Sequence, residues 1–171
     1  MIRSLKYKRG KAFIPTKFYI FVFASIIVNF VGITLTQARD GVENIIIDRE
    51  STPDPLVIAG VSGGSLEATE VLETEATTTG FCDGFINRQP NHRLILNSFF
   101  DFLRVEVESN VDTTIMIEGP GGIWCNDDTN DTNPVIEGQW QPGSYKIWIG
   151  SHQVDVFNDY LIKITGIKTK L

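Results

Sequence analysis

Cysteine, histidine and helical periodicity are scarce in this chain, and each scarcity removes a class of function. Two cysteines and two histidines occur in 171 residues. A catalytic zinc takes three protein ligands dominated by histidine or cysteine, and His92 and His152 form no His-x-x-x-His pair, so zinc chemistry is not expected. Both histidines border strand-like runs beside turns and read as surface or turn residues. Bases are scarce too outside the amino-terminal segment. Six of the fifteen Lys and Arg lie before residue 39, where no acid occurs, so the remainder carries nine bases against twenty-one acids, a formal charge of −12. A chain of that charge repels phosphate backbones, and nucleic acid is excluded as a partner.

What is present begins with an address. Arg3, Lys6, Lys8, Arg9, Lys11 and Lys17 precede an uncharged, largely apolar run from Phe18 to Ala38. A basic segment followed by such a run is a secretory signal, and Thr36-Gln37-Ala38 supplies small residues for cleavage after Ala38. The expected mature protein starts at Arg39 and is secreted or periplasmic. The run is also long enough for a bilayer span of about 20 residues. If residues 18–35 stay uncleaved, the same protein is membrane-anchored, and a membrane is a partner only in that case. No cysteine stands directly after the run, which argues against a lipoprotein. The expected organisation is a signal over 1–38, a tether or edge strand over 39–54 and one folded domain over 55–171, a size that buries a core. Cys82 and Cys125 both follow the signal, so a disulfide is the default pairing in an oxidising compartment. On the chain-entropy account it stabilises by about 4 kcal/mol.

Beyond Gly80 the apolar period is two. Leu94 and Leu96 are flanked by Arg93 and Asn97, and Leu103, Val105 and Val107 alternate with Arg104, Glu106 and Glu108; Ile115 and Ile117 flank Met116; Tyr145, Ile147 and Ile149 alternate with Lys146, Trp148 and Gly150; Tyr160, Ile162 and Ile164 complete the set. Each run predicts a half-buried strand with one wet face. Turn signals separate them at Gln89-Pro90-Asn91, Gly119-Pro120-Gly121-Gly122, Asn133-Pro134 and Gln141-Pro142-Gly143. Short strands at this spacing, without a long helical pattern, predict an all-β, antiparallel, jelly-roll-like sandwich of about eight strands with one disulfide. Pro120-Gly121 and Pro142-Gly143 have the order of tight turns in which glycine takes positive φ.

These residues carry a family resemblance. Asp112-Thr113-Thr114, Gly119-Pro120-Gly121-Gly122, Trp124-Cys125-Asn126-Asp127-Asp128, Asn133-Pro134, Gly143-Ser144-Tyr145 and Ile147-Trp148-Ile149-Gly150-Ser151 resemble the bacterial pre-peptidase C-terminal (PPC) type of β-sandwich domain. Phe81-Cys82-Asp83-Gly84-Phe85 and Pro90-Asn91-His92 fit the same pattern, which spans about Pro55 to Ile167 and is most like secreted, single-domain cyanobacterial versions. The resemblance implies a secreted, non-catalytic accessory module, attached to proteases in some proteins and standing alone in others.

Three groups of residues are candidates for chemistry. Gly60-Val61-Ser62-Gly63-Gly64 matches the G-x-S-x-G nucleophile elbow, with His152 later in the order used by α/β-hydrolases. The elbow requires a parallel α/β sheet, so a hydrolase using Ser62 with a histidine is the alternative and a turn the expectation. The loop from Cys125 to Asn133 concentrates oxygen: Asp127, Asp128, Asn130, Asp131 and Asn133, with Asp112 as a further ligand from a neighbouring strand end, form a candidate Ca²⁺ set. Its spacing fails the EF-hand template, and Asx-turns are the competing reading. Trp124, Trp140 and Trp148 are expected in core or edge packing rather than as an aromatic platform. Trp148 alternates with apolar residues and must face the other way, so Lys146 and Trp148 would form a contact surface if that face is wet. The function expected is a non-catalytic binding or structural module of the cell envelope, with an envelope protein or a glycan as partner.

Overall fold

A computed structural model describes residues 42–51, 53–129 and 132–166. The signal or anchor expected over 1–38, and the candidate ligands Asn130 and Asp131, lie outside them. Among the described residues no helix is long and apolar enough to cross a membrane.

The described residues form thirteen strands and one helical turn, in order β1 (Glu43–Ile47), β2 (Leu56–Val61), β3 (Leu66–Glu67), α1 (Ala68–Leu72), β4 (Ala76–Thr77), β5 (Gly80–Phe81), β6 (Phe85–Ile86), β7 (His92–Leu96), β8 (Phe100–Ser109), β9 (Thr113–Gly119), β10 (Gly122–Asn126), β11 (Val135–Trp140), β12 (Gly143–Ser151) and β13 (Asp159–Thr165). The expected count of about eight is thereby corrected. The surplus consists largely of two-residue strands, too short to show any period in sequence.

The strands form two main sheets, one of seven strands and one of four, with a separate β4–β5 pair. In the larger sheet β12 is the hub. Its first half pairs with β7, its last residue with β6, and its other edge with β9, which in turn holds β10. The smaller sheet runs β11–β8–β13–β2. Every pairing is antiparallel except β1 on β7. The sandwich fold class expected from the period-two runs is therefore the one observed.

Alternation explains the core. Leu94, Leu96, Leu103, Val105, Val107, Ile115, Ile117, Ile147, Ile149, Ile162 and Ile164 are buried between the sheets. One buried polar link crosses that layer: Nε2 of His92 on β7 lies 2.8 Å from the Tyr160 hydroxyl on β13. His92 is thus a core residue, not the surface or turn residue expected. Ile45 and Ile47 are buried in the same cluster, so β1 makes part of the stretch read as a tether an edge strand of the sandwich. Gly121 and Gly143 take φ of 104° and 146°, the positive values that the Pro-Gly turns demand.

The expectation of one wet face per strand fails at β9 and β12. Met116 and Trp148 point away from the inter-sheet core, yet both are buried, in a second cluster with Ala68, Leu72, Ile86 and the cysteines. Cys82 and Cys125 are bonded, with Cα atoms 5.0 Å apart. The β4–β5 pair is stitched to β10 as well, because Thr79 Oγ1 donates to the Cys125 carbonyl and the Cys125 amide donates to Thr77 Oγ1. This thin outer layer, built from α1, β4, β5 and the disulfide, covers the back of the larger sheet.

Candidate functional site

Register brings four chain-distant loops together. Antiparallel pairing places the end of β10 beside the start of β9, and the start of β9 beside the end of β12. The single β12–β6 pair, Ser151 with Phe85, adds the start of β6 to the same end. The residues just outside those strand ends are Asp127, Asp112, His152 and Asp83. Ligating atoms of Asp112, Asp127 and Asp128 lie within 4.8 Å of one another, and so do those of Asp83, Asp127 and His152. Asp127 belongs to both groups.

His152 sits among the acids as their counter-charge. Its Nε2 is 2.9 Å from Oδ1 of Asp127 and 3.2 Å from Oδ1 of Asp112. Partial burial works against the imidazolium, but Asp127, Asp112 and Asp83 together outweigh it, and the pKa of His152 is raised. Asp127 is raised as well. Burial dominates there, Asp128 and Asp112 add repulsion, and the single histidine offsets only part of both. The two directions are compatible, since His152 gains several anions whereas Asp127 gains one cation among other anions. Asp83 is further tied down by accepting a 2.7 Å bond from the Gly84 amide.

The remaining candidate residues are placed differently. Asn133 braces the loop, since its Oδ1 accepts from the Ser109 amide and its carbonyl accepts from the Thr129 amide. Asn126 Oδ1 likewise accepts from the Thr129 hydroxyl and the Val135 amide. The Asx-turn reading therefore describes part of this loop, while Asp112, Asp127 and Asp128 do converge. Asp83 and His152 were missed as members. Sequence adjacency cannot show them, because only the strand register carries them to the cluster.

The surface proposed for Lys146 and Trp148 does not exist in that form. Trp148 is 3% exposed because the outer layer covers it, and Lys146 pairs with Glu118 at 2.9 Å. Ser62 is no elbow serine either. It is buried, its hydroxyl donates to the Asn158 carbonyl at 3.1 Å, and its amide donates to the same oxygen at 2.8 Å. The flanking glycines have packing reasons: a Cβ on Gly63 would lie 2.0 Å from the Val156 carbonyl oxygen, and one on Gly64 would meet the Ile86 backbone at 1.9 Å. The motif is a tight crossover from the smaller sheet to the larger one.

No protein-family model matches the chain. An uncharacterized protein of Synechococcus elongatus is 30% identical over 74 residues, covering 41% of this chain and 55% of its own length. The chain thus spans about half the length of that relative. Among solved structures, the pre-peptidase C-terminal domain of a collagenase from Bacillus anthracis matches 73% of this chain and 97% of its own, at 10% identity and a TM-score of 0.41.

Proposed function

We propose that this protein is a secreted or periplasmic, non-catalytic binding and structural module of the cell envelope, and that Asp112, Asp127 and Asp128 hold a Ca²⁺ ion that stiffens one end of the larger sheet. The observation that carries the non-catalytic reading is the engagement of Ser62, His92 and His152 in three separate hydrogen bonds, to the Asn158 carbonyl, Tyr160 and Asp127. A serine nucleophile needs a base within about 3 Å, and the Ser62 hydroxyl instead spends its proton on a backbone carbonyl. The disulfide fits an oxidising compartment.

Calcium suits the site because it accepts six to eight oxygens in flexible geometry, with water completing what three carboxylates leave open. Burial is the main cause of the raised Asp127 pKa, and a divalent cation would relieve the repulsion from Asp128 and Asp112 that adds to it. Melting of the mature domain in millimolar calcium against chelator tests this, since a metal that binds only the folded state raises its melting temperature by mass action. The expected outcome is an upward shift that vanishes in Asp127→Asn with Asp128→Asn. An unchanged melting temperature and no heat of binding would remove calcium from the proposal.

Export is tested separately by intact mass and fractionation. A released species starting at Arg39 supports the secreted module, and a membrane-bound species retaining Met1 favours the anchored form. Ester hydrolysis lost in Ser62→Ala would overturn the non-catalytic reading.

A further inference from the structure

A cleft of about 330 Å³ opens at the opposite end of β9 and β10 from the acidic cluster, between the β9–β10 turn and the edge strand β11. Three aromatic rings step outward from the core into it. Tyr145 and Trp140 are buried, with ring centroids 4.9 Å apart, and Trp124 stacks on Trp140 at 6.4 Å and 29° while remaining half-buried. The two inner rings have satisfied polar atoms: the Tyr145 hydroxyl donates to the Gln141 carbonyl and Trp140 Nε1 to the Leu103 carbonyl. Trp124 is therefore the ring presented to an occupant.

The mouth is kept clear by residues without side chains. Gly121 and Gly138 line the cleft, and a Cβ on Gly138 would meet nothing within 4 Å. The β8–β11 register shifts between Gly138 and Trp140, a bulge that leaves the exposed Gln139 and Gln141 on the rim. Among the described residues no lysine, arginine or histidine lines the cleft, and the one acid that does, Glu137, is already paired with Arg104 at 2.6 Å.

We propose that this cleft binds a neutral pyranose ring of an extended oligosaccharide, the apolar face of the sugar stacking on Trp124 and its hydroxyls meeting the amides of Gln139 and Gln141. The inference rests on reading the chain as a binding module and gives that module a ligand class. A ring with a C–H face and a hydroxyl rim matches an aromatic wall beside uncharged amides, in a volume within the usual range of about 300–1,000 Å³ for small-molecule clefts. An anionic ligand finds no cation here. An extended peptide adding a strand to β11 is opposed by the bulge, which twists the edge out of pairing register.

The test titrates the full mature protein with chitohexaose and with cellohexaose, following tryptophan fluorescence and the indole N–H signals by NMR. The expected result is saturable binding of at least one of the two, with the Trp124 indole signal moving and that of Trp148 fixed. Trp124→Ala should abolish binding. Gln139→Ala with Gln141→Ala, both on the surface, should weaken it about tenfold while leaving the melting temperature unchanged. Absence of binding by both sugars, or a response to a polyproline peptide alone, overturns the proposal. Mass analysis of the recovered sugar separates the two readings: bound and shortened oligosaccharide would sink the non-catalytic module but keep the cleft, whereas lack of binding sinks the cleft alone.

Discussion

The larger sheet has a hydrophobic cluster on each face, and the two are held together by different means. Between the sheets, long strands contribute alternate residues from both sides, and eighteen buried residues form one continuous core. On the outer face, seven buried residues are gathered by a five-residue helix, short strands and the Cys82–Cys125 bridge. A layer that thin buries too little apolar surface to hold its own loops in place. The covalent link supplies what the packing lacks, and the acidic cluster sits at its border, since Asp83 follows Cys82 and Asp127 is two residues beyond Cys125.

The largest expected effect breaks the outer layer. Replacing both cysteines by serine should cost about 4 kcal/mol for a bridge spanning 43 residues. Amide hydrogen exchange should show α1, β4 and β5 opening first while β8 and β13 keep their protection. Uniform loss of protection would erase the distinction between the layers. Next comes the inner core, where Ile162→Ala should cost about 3 kcal/mol through lost burial and a residual cavity, and unfolding should remain cooperative by denaturant titration.

A smaller effect concerns the border. The raised pKa of His152 means that the folded state holds its proton more tightly than the unfolded chain, whose histidine titrates near 6.5. Its stabilisation is complete below about pH 6.5 and is lost as pH climbs through the higher folded value. In chelator, the melting temperature should therefore fall as pH rises from 6 to 8, and His152→Asn should flatten that slope. The smallest change is expected for Trp148→Phe. Nε1 of Trp148 is buried with no hydrogen-bond partner among the described residues, so relief of that N–H offsets part of the lost packing and the net change should stay within about 1 kcal/mol.

The inner layer was legible in the sequence because a period of two is local. Leu103, Val105 and Val107 declare their buried face without reference to the rest of the chain, and the Pro-Gly turns declare their positive-φ glycines. The outer layer was not. A single helical turn shows no period, so the cover over Trp148 could not be foreseen, and the wet face expected there is dry. The acidic cluster was half legible: Asp127 and Asp128 are neighbours in sequence with Asp112 nearby, but Asp83 and His152 arrive only through the pairings of β6, β9 and β12. Ser62 shows the converse error. A five-residue pattern matched a catalytic motif for reasons that belong to the passage of backbone between two sheets.

The position of β12 in the chain also dictates when the molecule can form. It is the strand that β6, β7 and β9 all require, and it ends at Ser151, late in the 171 residues. A chain delivered amino terminus first, from a ribosome or through a membrane channel, has no larger sheet to close until that segment has emerged. Most pairings then join residues far apart in sequence, which places folding in the slow class of about milliseconds to seconds. Cys125 lies 43 residues beyond Cys82 and ahead of β12, so both thiols are delivered before the segment that closes the larger sheet, and β9, on which the Cys125 strand pairs, gains its final neighbour only once it arrives.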